Sequence, residues 1–157
     1  MSRILSTVVV LGLIGIGVFL FVTRPARLPA SEVATAPGDA TRGEAVFNAS
    51  GCASCHTAPG SAEDTRLVLA GGQSFVTGFG TFLAPNISPH PEQGIGGWSL
   101  AEFANAIQRG VSPDGAHYYP ALPYATYIRM TPGDVADLYA YMQTLPADPT
   151  PPANPMS

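Results

Sequence analysis

The 157-residue chain holds only two cysteines, three positions apart, with a histidine directly after the second: Cys52-Ala53-Ser54-Cys55-His56. On a helical turn, residues three apart share a face, so both thiols point the same way and the imidazole follows at the next position. That arrangement matches the chemistry of covalent haem attachment. Each thiol can add to one vinyl group at the porphyrin edge, and the histidine can reach the iron from one side. Competing uses of the motif have less support. A thioredoxin-type CxxC asks for a βαβ setting that this sequence lacks. A zinc site would need two more strong ligands, and the remaining nitrogen donors are His90 and His117. No second CxxCH occurs in the sequence, so one covalently attached haem c is expected.

A proximal histidine leaves the opposite axial position to be filled, and a methionine there raises the reduction potential and suits electron transfer. Met130 is the preferred sixth ligand, because it ends an irregular stretch just before Thr131, where a loop can bring its thioether across the ring. Its rivals are Met142, which sits at core spacing in a helical segment, and His117, which beside Tyr118 and Tyr119 reads better as a hydrogen-bonding residue. His90, between Pro89 and Pro91, reads as exposed loop. The metal ligands expected are therefore His56 and Met130. The second ring nitrogen of His56 needs an acceptor, and a carbonyl near Pro59 is one candidate.

Residues 4–22 form nineteen consecutive positions without a charge. As a helix they span roughly 28 Å, close to the hydrocarbon thickness of a bilayer. A cleaved signal usually has a shorter apolar core followed closely by small residues. Here Arg24, Pro25 and Arg27 follow instead, so a retained transmembrane anchor is expected. Haem attachment of this kind takes place outside the cytoplasm, which sets residues 1–3 on the cytoplasmic side and the remainder beyond the membrane. Arg24 and Arg27 pull against that orientation under the positive-inside rule.

Beyond the anchor, residues 23–38 carry Pro25, Pro29 and Pro37 and read as a flexible linker. A compact segment follows over 39–146, and residues 147–157 read as a disordered proline-rich tail. Three helices can be placed in the compact segment. One runs from about Thr41 to Ala49. A second starts at the Ser99/Glu102 capping box, carries Phe103, Ala106 and Ile107 on one stripe, and stops at Gly110. The last starts at Thr131 with Pro132 in its first turn and Asp134 as capping acid, and closes before Pro146. No useful strand is expected, and the glycine-rich stretch 71–97 reads as irregular. All eleven carboxylates lie at or beyond Glu32, against four arginines there and no lysine anywhere, a formal −7. Such a chain has no material for a basic patch, which excludes nucleic-acid binding, and favours a basic partner or an uncharged docking face.

Gly43 and Phe47 before the haem motif, with Leu138 and Tyr141 in the last helix, resemble class I cytochrome c, where the first and last helices cross at a glycine. Pro85-Asn86-Ile87, Gly94-Ile95-Gly96, Trp98-Ser99, Tyr119-Pro120-Ala121-Leu122-Pro123-Tyr124 and Arg129-Met130-Thr131 are similar to the haem domains of cytochrome c subunits serving membrane-bound alcohol and gluconate dehydrogenases. Those subunits carry three such domains, and this sequence has one. The resemblance spans about 39–146. It implies an all-α class I cytochrome c fold with long loops around one haem, Met130 as sixth ligand, and Trp98, Pro123 and Tyr124 as haem-pocket residues. Arg109 and Arg129 are candidate propionate partners.

The function expected is therefore single-electron transfer in a respiratory chain by an anchored monohaem cytochrome, an electron carrier and not itself an enzyme. Its redox partners would be a dehydrogenase, a quinol-oxidising complex or a terminal oxidase. Its place would be the bacterial inner membrane, single-pass, with the haem domain on the periplasmic side. A fixed subunit of a periplasmic dehydrogenase or respiratory complex is the alternative. A haem enzyme or gas sensor would need an open axial position, against which Met130 argues.

Overall fold

The structure, a computed structural model, describes residues 2–119 and 121–151. Met1, Pro120 and residues 152–157 lie outside them, and with them the end of the expected disordered tail. Helix α1 spans Ser2–Val22 and stands apart with its side chains exposed, apolar along nearly its whole length. By length and composition it is able to cross a membrane.

The compact part is built on a crossing of α2 (Ala40–Ser50) with α6 (Pro132–Met142). Asp39 caps α2, its carboxylate accepting from the Thr41 and Arg42 amides. Gly43 is required where the helices meet, since a Cβ there would drive into the Asp137 carbonyl. Close approach lets the Phe47 and Tyr141 rings meet at 5.2 Å between centroids. Asp137 then ties the two elements by charge. Arg42 donates to it through Nε at 2.7 Å and Nη2 at 2.8 Å, and the Asp39 amide donates at 2.6 Å.

Helix α4 (Leu100–Arg109) packs on α6 through Phe103 and Tyr139, whose rings lie 5.4 Å apart. Both the Ser99/Glu102 and the Thr131/Asp134 capping boxes are formed, and Gly110 ends α4 in the left-handed conformation. The core gathers Phe47, Leu69, Ile95, Phe103, Val135, Leu138, Met142 and Leu145. Met142 is therefore a packing residue, 2% exposed. Two short helices complete the set, α3 (Cys52–His56) and α5 (Tyr124–Tyr127).

The chain departs from the all-α expectation within 71–97. Strands β1 (Ser74–Thr77) and β2 (Gly80–Leu83) pair antiparallel around the two-residue turn Gly78-Phe79. All four residues of β1 are exposed, so the pair buries too little to leave an alternating signature in the sequence. α6 also stops at Met142, three residues before the expected boundary at Pro146 is reached.

Segment 23–38 lies along the domain instead of hanging free. The Leu28 amide donates to buried Asn105 at 2.7 Å, Arg27 donates to the Pro113 carbonyl at 2.7 Å, and Arg109 pairs with Glu32 at 3.4 Å. At the other end, Asn86 donates to the carbonyls of Asp148 and Thr150, and the Asp148 amide donates to Ser88. The start of the proline-rich tail is thus held against the 86–88 turn.

Candidate haem site

Helix α3 carries the whole Cys52–His56 motif on little more than one turn, following Gly51, whose φ of +70° turns the chain sharply out of α2. Both cysteines are free thiols and half-buried, and Cys52 packs against the core cluster. Burial pushes the Cys52 thiol up to about 11.

The acceptor for His56 is the carbonyl of Pro85, at 2.8 Å from Nδ1, and not one near Pro59. Because a carbonyl only accepts, Nδ1 carries the hydrogen, and Nε2 is left with its lone pair. Burial lowers the imidazole's affinity for a second proton, partly offset by the Pro85 bond, so the ring is held neutral. A neutral imidazole with Nδ1–H engaged and Nε2 open is the state that ligates a metal. The carbonyl is brought into reach by Gly71. Its amide donates to the His56 carbonyl at 2.8 Å, its φ is +77°, and a Cβ on it would collide with Ala84 and Pro85.

Met130 is half-buried, faces the core cluster, and lines a shallow depression with Val46, Ala49, Ser50 and Tyr127. Its backbone is pinned on both sides. The amide donates to the Tyr127 carbonyl at 3.0 Å, and its carbonyl accepts from Nε2 of buried Gln108, also at 3.0 Å. Tyr127 connects this depression to α3. Its hydroxyl donates to the Ser50 carbonyl at 2.9 Å, and its pKa is raised first by burial and then by the nearby thiols of Cys52 and Cys55. Neither Gln108 nor Tyr127 was singled out by the sequence. Gln108 stands on the buried face of α4 with Ala104 and Asn105, and a polar side chain at buried helical spacing was the available signal.

Trp98 packs on the same core cluster as Cys52 and Met130, and its carbonyl accepts from the Tyr139 hydroxyl at 2.6 Å. Tyr124 lies with its ring against Gly110, at the end of α4. Pro123 is exposed and precedes α5. The structure therefore brings Cys52, Trp98 and Met130 onto one apolar cluster and leaves Pro123 at the surface. His117 donates from Nε2 to the Thr23 carbonyl at 2.9 Å, and His90 accepts at Nδ1 from the Gln93 amide at 3.1 Å. Each histidine outside the motif thus has one ring nitrogen committed within the chain.

The donor set fits a covalently held haem: two unpaired thiols on one short helix, an adjoining neutral imidazole with Nε2 open, and a thioether in the apolar wall.

Residues 40–146 match the family model described as Cytochrome c. The chain is 48% identical over 146 residues to a "Diheme cytochrome c-type" protein of Cereibacter sphaeroides, covering 93% of this chain and 49% of that one. It is 40% identical over 104 residues to the fructose dehydrogenase cytochrome subunit of Gluconobacter japonicus, covering 66% and 21%. It is 39% identical over 100 residues to the cytochrome c subunit of the quinone alcohol dehydrogenase of Gluconobacter oxydans, covering 64% and 20%. The chain thus spans about half the length of the first of these relatives and about a fifth of the other two.

Proposed function

The chain belongs to the cytochrome c family, and on that premise we propose that it is a membrane-anchored electron carrier holding one haem c. When bound, the haem supplies an iron that alternates between ferric and ferrous and so carries one electron at a time. The chain's own residues hold it. Cys52 and Cys55 would hold it covalently through their sulfurs, and His56 would offer Nε2 to the iron, its ring fixed by the 2.8 Å bond to the Pro85 carbonyl. Met130 would offer its thioether as a second iron ligand. Trp98, which shares the apolar cluster with Cys52 and Met130, and Tyr124 would wall the site and exclude water, while Pro123 stands exposed just before α5. Nothing in this assignment makes or breaks a substrate bond.

The observation that carries the reading is the His56–Pro85 bond directly behind the CxxC turn, since it leaves one imidazole nitrogen free in a chain with two free thiols on the same helix. Anchoring by α1 is supported by its exposed, uncharged and largely apolar run over 4–22. The alignment with the C. sphaeroides protein leaves at most eleven residues of this chain unmatched, so it runs into that helix. In this reading the domain sits on the periplasmic side of a bacterial inner membrane. Its docked 23–38 segment keeps it close to the bilayer, which raises its effective concentration toward membrane-bound partners.

A second reading, a fixed subunit of a dehydrogenase complex, draws on the dehydrogenase cytochrome subunits among the relatives. Stoichiometric partners retained after gentle solubilisation would favour it over a shuttle. The axial assignment is tested by Met130→Ala in the holoprotein. The variant is expected to show a lower reduction potential and to take up added imidazole or cyanide. If spectrum and potential stay those of the parent, Met130 is not the ligand.

A further inference from the structure

Outside α1, the large apolar side chains exposed among the described residues are Phe75, Val76, Phe79, Tyr119 and Ile128. Single exposed apolar residues are ordinary. Here four of the five gather in one place. Phe75, Val76 and Phe79 lie on the β1–β2 hairpin, with Val76 82% and Phe79 85% exposed. Tyr119 stacks on Phe82 of the same hairpin at 4.3 Å between ring centroids. No Asp, Glu, Lys or Arg occurs between Arg66 and Glu92, so the whole hairpin and both its flanks are uncharged.

The patch is tied to the end of α1 through the loop that carries Tyr119. His117, two residues before Tyr119, donates to the carbonyl of Thr23, the residue that follows α1. Arg27 reaches Pro113 in the same loop, and the Leu28 amide holds Asn105 on α4. These bonds leave little slack between the helix end and the 111–119 loop. At that helix end the Arg24 guanidinium lies 4.3 Å over the Phe21 ring, an arginine–aromatic pair of the kind that anchors at a bilayer boundary. An aromatic, charge-free hairpin joined to that boundary by Tyr119 and His117 has the chemistry of an interfacial insertion.

We propose that the β1–β2 hairpin is a second membrane contact, with Val76 and Phe79 entering the boundary between headgroups and acyl chains. It rests on the reading of α1 as the anchor. The haem domain is then held at two points, by α1 and by the hairpin, and presents a fixed face to partners in the membrane plane. Because the hairpin carries no charge, zwitterionic lipid suffices.

The test is acyl-chain photolabelling of the full-length holoprotein in phosphatidylcholine vesicles that include a carbene-generating phosphatidylcholine, with adducts located by proteolysis and mass analysis. Adducts are expected on α1 and on the peptide containing residues 74–83. Val76→Ser with Phe79→Ser should lose the hairpin adduct and keep both the α1 adduct and the parent haem absorption. Should that double variant fail to mature, Phe79→Ser alone and the parent's own labelling decide. Adducts on α1 with a bare hairpin would overturn the second contact, leave the anchor standing, and turn the patch into a protein-docking face. A labelled hairpin with a bare α1 would sink the anchor and overturn the two-point hold, leaving the hairpin as the one contact. No adducts at either place would overturn both.

Discussion

Gln108 shows how one buried amide can bear on a proposed ligand it does not touch. Its Nε2 donates to the carbonyls of Met130, at 3.0 Å, and of Tyr127, at 3.3 Å, and so holds both ends of the 127–130 segment to α4. Leucine at this position keeps the volume and removes both bonds. The Met130 carbonyl loses its side-chain donor, at a cost of about 1 kcal/mol for a half-buried group. In Gln108→Leu, chemical denaturation of the holoprotein should show that loss, and added imidazole should bind more tightly than to the parent because the Met130 loop is released. An unchanged imidazole affinity in a destabilised variant would make Gln108 a packing residue with no bearing on the iron. The residue scale also marks where sequence reading stops. The motif itself was legible because its logic lies within five consecutive residues. The Pro85 acceptor was not, because it stands 29 residues from His56 and is brought there by the close approach that Gly71 permits.

At the scale of elements, α2 and α6 are joined by packing and by one ion pair, and the two respond differently to pH. Arg42 donates to both oxygens of Asp137, which holds that carboxyl below its ordinary value, with the Asp39 amide adding to the effect. A carboxyl lowered in the folded state contributes stability that is complete above its unfolded value, near 3.9, and is lost as pH falls through the depressed folded value. Thermal unfolding followed between pH 7 and pH 3 should therefore show the parent losing stability below about pH 4. Asp137→Asn should start lower at pH 7 and fall less steeply, and a parallel fall in both proteins would show that other carboxyls govern the acid limb. Helix starts were readable from sequence because capping boxes are local, as at Ser99/Glu102 and Thr131/Asp134. The hairpin left no such mark, since its outer strand buries nothing and so has no reason to alternate. The bonds of the 23–38 segment join residues 77 and 86 apart, and a run of prolines and small residues reads the same whether it is docked or free.

At the scale of the molecule, charge bears on how the proposed carrier would give up its electron. Everything beyond Arg27 carries eleven carboxylates against four arginines, with no lysine to form a cationic rim. Three of those arginines are paired, Arg42 with Asp137, Arg66 with Glu63 and Arg109 with Glu32, which leaves the surface field dominated by acids. Long-range steering between exposed charges is screened over a Debye length of about 8 Å at physiological salt. An anionic oxidant such as ferricyanide should therefore react slowly with the reduced protein at low salt and faster as salt rises. A cationic oxidant such as a cobalt tris-bipyridine complex should show the opposite slope. Stopped-flow oxidation of the reduced holoprotein in detergent over a salt series measures both. Two flat lines would mean that the edge through which electrons leave is shielded from the acidic surface, and recognition of partners would then rest on apolar contact. Opposite slopes would point to a partner with a basic docking face. A ferricyanide rate that falls with salt would require a local cationic patch that the arginines here do not build, and would overturn the charge argument itself.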